Sequence, residues 1–182
     1  MYLSQDAEDA ALVGRVLAGD AAAFEVLVER YQRPLFNVAV RMLGSREDAA
    51  DATQNALIRV YENLRAFDPG RRFFSWSYRI LVNECLNVLS ARRVTVDADD
   101  ALMAPIAFDQ VAAAERRAAV QRALMDLAPE LRAVIVLRHY AGLSYEQIAE
   151  ALGGVPVKTV KSRLYTARQR LGRTLLGWRE ES

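Results

Sequence analysis

The sequence holds one cysteine, Cys85, and one histidine, His139, among 182 residues. A lone thiol excludes an internal disulfide and a cysteine-based metal cluster, and a lone imidazole leaves little material for a His-based catalytic or metal site. No uninterrupted apolar run approaches the roughly 20 residues that a bilayer-spanning helix needs. The N-terminus carries Asp6, Glu8 and Asp9 and lacks the basic and apolar halves of a secretion signal, so a cytoplasmic protein is expected. Alternating apolar and polar runs rich in β-branched residues are missing as well, which argues against a sheet. These gaps weigh against most enzymes. No catalytic residue, no metal and no cofactor is expected.

What is present suits a folded protein: 52% of residues are hydrophobic and 26% charged. The net charge of +1 conceals an uneven distribution. Residues 1–96 balance 12 Arg against 12 acids, residues 97–114 hold four Asp and no base, and residues 115–182 hold 12 bases against 7 acids. Between Ala151 and Arg179 stand seven bases and no acid, the asymmetry of a face that meets a polyanion. The 2 lysines against 22 arginines read as genome composition, not chemistry.

Helical spacing recurs throughout and predicts an all-α fold of two small helical domains, 1–93 and 111–182, joined by an acidic flexible linker over 94–110. A first helix is expected near residues 6–18. A second starts near Asp20, and Pro34 is read as the first turn of a following segment that ends at Gly44. Ser45 offers an N-cap to a third helix, with Glu47 and Asp48 in its first turn and a stripe through Ala49, Ala52, Ala56, Leu57, Val60, Tyr61 and Leu64. Phe67 to Phe74 contains Asp-Pro-Gly and reads as a loop. Helices then follow over about 75–93, 108–127 and 129–140. Cys85 and Trp76 are expected in the core, and His139 at a helix end that favours a cation.

Leu143-Ser144-Tyr-Glu-Gln147-Ile148 combines a Ser-x-x-Gln capping box with the two positions of a hydrophobic staple. Gly153-Gly154-Val155-Pro156 then makes a turn, and Val157, Val160, Leu164, Ala167 and Leu171 give the next helix one buried face. Its opposite face centres on Lys158, Thr159, Ser162, Tyr165 and Gln169, flanked by Lys161, Arg163 and Arg168. Central polar groups with lateral cations suit a helix in the major groove, where base edges lie along the axis and phosphates on either side. The pair reads as a DNA-binding helix-turn-helix.

Leu143-Ser-Tyr-Glu-Gln-Ile-Ala-Glu, Thr159-Val-Lys-Ser-Arg-Leu164 and Ala167-Arg-Gln-Arg-Leu171 resemble region 4 of the bacterial RNA polymerase sigma factors, in the small extracytoplasmic-function (ECF) group that keeps only regions 2 and 4. Asp20 to Leu43 resembles region 2.1, Asp48-Ala-Ala-Asp-Ala-Thr-Gln54-Asn to Phe67 region 2.2, and Phe74-Ser-Trp-Ser-Tyr-Arg-Ile-Leu-Val-Asn83 to Arg93 regions 2.3 and 2.4. The resemblance spans nearly the whole chain except its first few residues and the linker. Gln54-Asn55 replaces the Gln-Glu or Gln-Asp common at that point, Ser77 stands where Leu is usual, and Lys158 where Gly is common.

The resemblance implies a promoter-specificity subunit, with no catalysis, that binds core RNA polymerase through its clamp helices and flap. Asp48, Asp51, Gln54, Asn55 and Arg59 would face the polymerase. Phe67, Arg71, Arg72, Phe73, Phe74, Arg79, Asn83, Arg92 and Arg93 would take the −10 element as single strand, since unpaired bases stack on aromatic rings and amides read their edges. Lys158, Thr159, Lys161, Ser162, Arg163 and Arg168 would bind the −35 duplex. The acidic linker would thread toward the polymerase active-site and RNA-exit region. An anti-sigma factor is a further implied partner, able to hold the protein at the membrane. The rival readings are a stand-alone helix-turn-helix regulator, which would bind duplex tightly without polymerase, and an enzyme in the N-terminal half.

Overall fold

The computed structural model describes residues 2–94 and 111–180, and the expected linker beyond Val94 lies outside them. Eight α-helices and no strand occur among the described residues. The N-terminal half contains α1 (Tyr2–Leu17), α2 (Ala22–Leu43), α3 (Arg46–Glu62) and α4 (Phe73–Val94). The C-terminal half contains α5 (Val111–Met125), α6 (Pro129–His139), α7 (Tyr145–Ala151) and α8 (Val157–Glu180).

Two predicted segments prove to be one helix: α2 runs unbroken through Pro34. A proline inside a helix removes one hydrogen bond, and here it sits on the solvent side between buried Tyr31 and Leu35, where water can serve the freed carbonyl. Leu27, Leu35, Val38, Met42 and Leu43 line the buried side. The helix stops at Gly44, whose φ of 76° is left-handed and whose N–H returns to the Val40 carbonyl at 2.9 Å. Ser45 then caps α3, its hydroxyl accepting from the Asp48 N–H at 3.2 Å. Ala49, Ala52 and Ala56 form a fully buried face of small residues that lets α3 lie close to its neighbours α2 and α4. Tyr61, expected on that buried stripe, instead stands half exposed against Phe24 with ring centroids 4.9 Å apart.

The stripe also overshoots the helix: Leu64–Ala66 is a 3-10 turn, and Leu64 enters the core from there. α4 begins at Phe73, two residues before the expected start, so Phe73 and Phe74 belong to its first turn. α1 is pinned to α2 by Asp9, which is fully buried and accepts from Arg30 Nη1 at 2.5 Å and from the Tyr31 hydroxyl. Burial raises the Asp9 carboxyl above its ordinary range against the pull of those two donors. The two halves are packed together, and one apolar core runs from Leu12 to Ala167 through both. α4 lies against α7, and the end of α2 lies against α5 and α6.

Candidate nucleic-acid interface

The helix-turn-helix forms as its sequence signals indicate. Ser144 Oγ accepts from the Gln147 N–H at 3.2 Å and Gln147 Oε1 accepts from the Ser144 N–H at 2.6 Å, closing the capping box at the start of α7. Leu143 and Ile148, the staple positions, are both fully buried. Gly153 and Gly154 each take φ near 85°, and the Pro156 carbonyl accepts from Thr159 and Val160 as α8 begins. Val160, Leu164 and Ala167 turn inward. Lys158, Lys161, Ser162, Tyr165, Arg168 and Gln169 are exposed, and Thr159 and Arg163 half-buried. Among the described residues no ion pair engages Lys158, Lys161, Arg163 or Arg168. Lys161 and Arg138 sit over the Tyr145 ring at 5.7 and 5.1 Å. The expected cation at His139 is corrected: partial desolvation, Arg168 and Arg138 all push the imidazole below its usual value, which favours the neutral form.

The aromatic loop of the N-terminal half is arranged differently. Phe67 and Phe73 are 6% and 2% exposed. Their rings meet edge to face at 5.5 Å, and both contact Trp76, with Tyr31 at 5.4 Å from Phe73. In this arrangement those two phenylalanines are core, unavailable for stacking on a base. Phe74 is half-buried in an edge contact with Tyr78. Arg79, Asn83 and Asn87 line up along the exposed side of α4. Arg71 pairs with Asp68 at 3.6 Å and Glu150 at 3.7 Å, Arg72 with Asp6 at 3.2 Å, and Arg92 with Asp48. Arg92 also donates to the Leu43 carbonyl at 3.0 Å. Of Arg93, the last of the expected set, only the place near the end of α4 is described. Ser77, buried, donates to the Phe74 carbonyl at 2.9 Å. Cys85 is buried and its thiol is pushed up to about 12 by desolvation, with Glu84 adding to the shift.

On α3, Asp51, Gln54 and Asn55 are exposed, Asp48 is tied to Arg92, and Arg59 pairs with the nearly buried Glu84 of α4 at 2.8 Å. Gln54 lines an open groove between α2 and α3 with Phe24, Val28, Ile58 and Tyr61. Ile58 and Tyr61 are 48% and 51% exposed, large apolar groups at spacings of four and seven from Gln54. Sequence reading missed this wall because apolar residues at helical spacing look like core; the signal was a second apolar stripe beside the alanines.

A capped helix-turn-helix with an acid-free outer face, joined to a helical half that carries an aromatic and amide cluster, defines an all-α DNA-binding protein. The Sigma-70 region 2 family matches residues 27–95 and the Sigma-70, region 4 family residues 117–171, more than half of the chain together. The RNA polymerase sigma-H factor of Pseudomonas aeruginosa is 34% identical over 182 residues, covering 92% of this chain and 94% of that one. The ECF RNA polymerase sigma-E factor of Escherichia coli strain K12 is 37% identical, with coverage of 92% and 94%. The solved structure of the sigma factor RpoE with the anti-sigma factor NepR from Bartonella quintana matches with a TM-score of 0.69 and 25% identity, covering 84% of this chain and 96% of that one. The chain belongs to the sigma-70 family of RNA polymerase sigma factors, within its ECF group. Like the rest of that family, it is a promoter-specificity factor and a transcription initiation factor. Among the described residues no helix is long and apolar enough to cross a membrane.

Proposed function

We propose that α8 reads the −35 duplex through Lys158, Thr159, Lys161, Ser162, Arg163 and Arg168, while α4 and its preceding loop take the −10 strand. The observation that carries this reading is the outer face of α8, where cations that form no ion pair among the described residues flank Ser162, on the helix that follows the capped α7. Arg79 and Asn83, exposed on α4, are the −10 contacts ready without rearrangement. Phe74 and the paired cations Arg71, Arg72 and Arg92 complete that surface when phosphates replace their carboxylate partners. Phe67 and Phe73 support the loop from beneath and reach a base only if the loop turns outward. Arg93 at the end of α4 extends the cationic line.

The polymerase takes the α3 surface at Asp51, Gln54 and Asn55, and the groove beside it supplies the apolar contact through Ile58 and Tyr61. Asp48 and Arg59 act there by fixing α3 to α4. Residues 1–93 form one unit, 111–182 the other, and the acidic stretch 94–110 follows the polymerase channel between them. An anti-sigma factor is the expected antagonist, since sigma factor RpoE, which shares this fold, is found with one. The protein acts in the cytoplasm without catalysis or cofactor.

Mixing the purified chain with sigma-free core RNA polymerase and fragmented genomic DNA, then mapping transcript 5′ ends, tests the reading. Reproducible starts absent with core alone, sharing −35 and −10 elements, are expected. Absence of specific starts, with the chain alone still shifting duplex, restores the stand-alone regulator. Asn83→Ala is expected to weaken starts without lowering −35 duplex affinity.

A further inference from the structure

Helix α1 turns one side toward the rest of the N-terminal half, and Asp6, Asp9, Leu12, Val13 and Val16 lie along it at spacings of three and four. Leu12 and Val13 are buried as that period demands. One and two turns earlier the same side carries carboxylates where the period calls for apolar groups. A buried carboxylate is costly unless it is paired and hydrogen-bonded. Asp9 has both kinds of partner: Arg30 Nη1 donates to it at 2.5 Å and the Tyr31 hydroxyl donates as well, while Arg30 Nη2 also reaches Glu8 at 3.3 Å. This grip sets where α1 lies on α2. One turn before it, Asp6 meets Arg72 Nε at 3.2 Å.

Both contacts arrive at the same place. Arg72 directly precedes α4, and its carbonyl accepts from the Trp76 N–H at 3.2 Å as that helix begins. Tyr31, held by Asp9, sets its ring 5.4 Å from that of Phe73. Two carboxylates of α1 therefore converge on two consecutive residues of the aromatic loop, one directly and one through a ring. Their strengths differ. Asp9 is fully buried, whereas the side chains of Asp6 and Arg72 are 25% and 42% exposed, and an ion pair so open to water is weak enough to be exchanged.

A guanidinium accepts a carboxylate and a phosphate by the same planar, charge-assisted geometry. Asp6 thus occupies Arg72 as a strand phosphate would, and the two anions repel each other at that point. We infer that α1 is a brake on strand capture: Asp6 competes with a −10 phosphate for Arg72, and Asp9, through Arg30 and Tyr31, anchors α1 where Asp6 can reach it. Asp6 and Asp9 lie outside the surfaces assigned above and act on the strand through Arg72, as positioning residues. The inference rests on the −10 reading of Arg72 given under the proposed function.

The test is fluorescence anisotropy of a short labelled single strand carrying the −10 sequence found by 5′-end mapping, added to the full chain bound to core polymerase. Asp6→Asn keeps the shape of the side chain and removes its charge. It is expected to tighten the strand by about two- to fivefold, with the unfolding midpoint and the −35 duplex affinity unchanged. Arg72→Ala should weaken the strand, and Asp6→Asn added to it should change nothing further, as for two residues that act on each other. Asp9→Asn should tighten the strand by no more than Asp6→Asn, with no added gain in the double variant. Tyr31→Phe, which keeps the ring beside Phe73, checks the same anchor where Asp9→Asn fails to fold, and should act in the same direction. Glu29→Gln, the same loss of charge at an exposed site of α2, should leave strand affinity where it was. An Asp6→Asn chain that binds the strand no tighter, or that gains equally without Arg72, overturns the brake. An Arg72→Ala chain that holds the strand as tightly as before overturns the −10 role of Arg72 itself.

Discussion

The two surfaces proposed to meet DNA stand in opposite states. α8 presents its cations outward behind the capped helix α7, whereas two of the aromatic side chains of the N-terminal half are folded into its core and three of its cations are paired with carboxylates. A duplex reader can be rigid because its target is regular. A strand reader has to wait for bases that are unstacked only once the duplex opens, and until then its apolar rings are best kept out of water.

Thiol chemistry gives the widest measure of that difference. Cys85 is buried within α4 with its thiol pushed up to about 12 by desolvation, so its thiolate population near neutral pH is lower by about a thousandfold. Alkylation of the native chain should be slower than that of the unfolded chain by at least that factor, and should keep rising with pH beyond the point where an ordinary thiol levels off. Fast labelling at neutral pH would show the N-terminal core to be open. Phe73→Ala should cost about 3–5 kcal/mol in denaturant unfolding, the range for emptying a buried aromatic site; an unchanged midpoint would mean that Phe73 is free to serve DNA alone.

For α8 the expectation is the reverse. Lys158→Ala should leave the unfolding midpoint where it is and reduce the salt dependence of −35 duplex binding by about 0.9 in the log-log slope, one phosphate contact. An unchanged slope would remove Lys158 from the interface. Ser144→Ala has the smallest effect, about 1 kcal/mol of stability from the lost cap. Because that cap positions α7, it should weaken duplex binding by the same modest amount, measured on the same probe.

The helix-turn-helix is legible from sequence because every signal that builds it is local: a cap, a staple, two glycines, a proline and a period of 3.6. A local rule breaks α2 at Pro34 because it does not know which side faces water. The resemblance assigns Phe67 and Phe73 to the −10 strand, and a loop has no period to say that their side chains turn inward. Gln121 and Arg132 left no trace at all. On an amphipathic helix either reads as an ordinary solvent-facing residue, and only the arrival of α2 from 80 or 90 positions away makes them buried.

Gly153 and Gly154 carry a consequence for handedness. A methyl group on either would meet nothing within 4 Å, so space is not what keeps them bare. Their φ values near 85° belong to the mirror-image half of backbone space, which L-residues enter at a cost of about 1–3 kcal/mol each. A D-alanine would sit at either position at ease where L-alanine would strain. The pivot that aims α8 is thus a short stretch of mirror-image backbone, and its angle is written there with no side chain to adjust it.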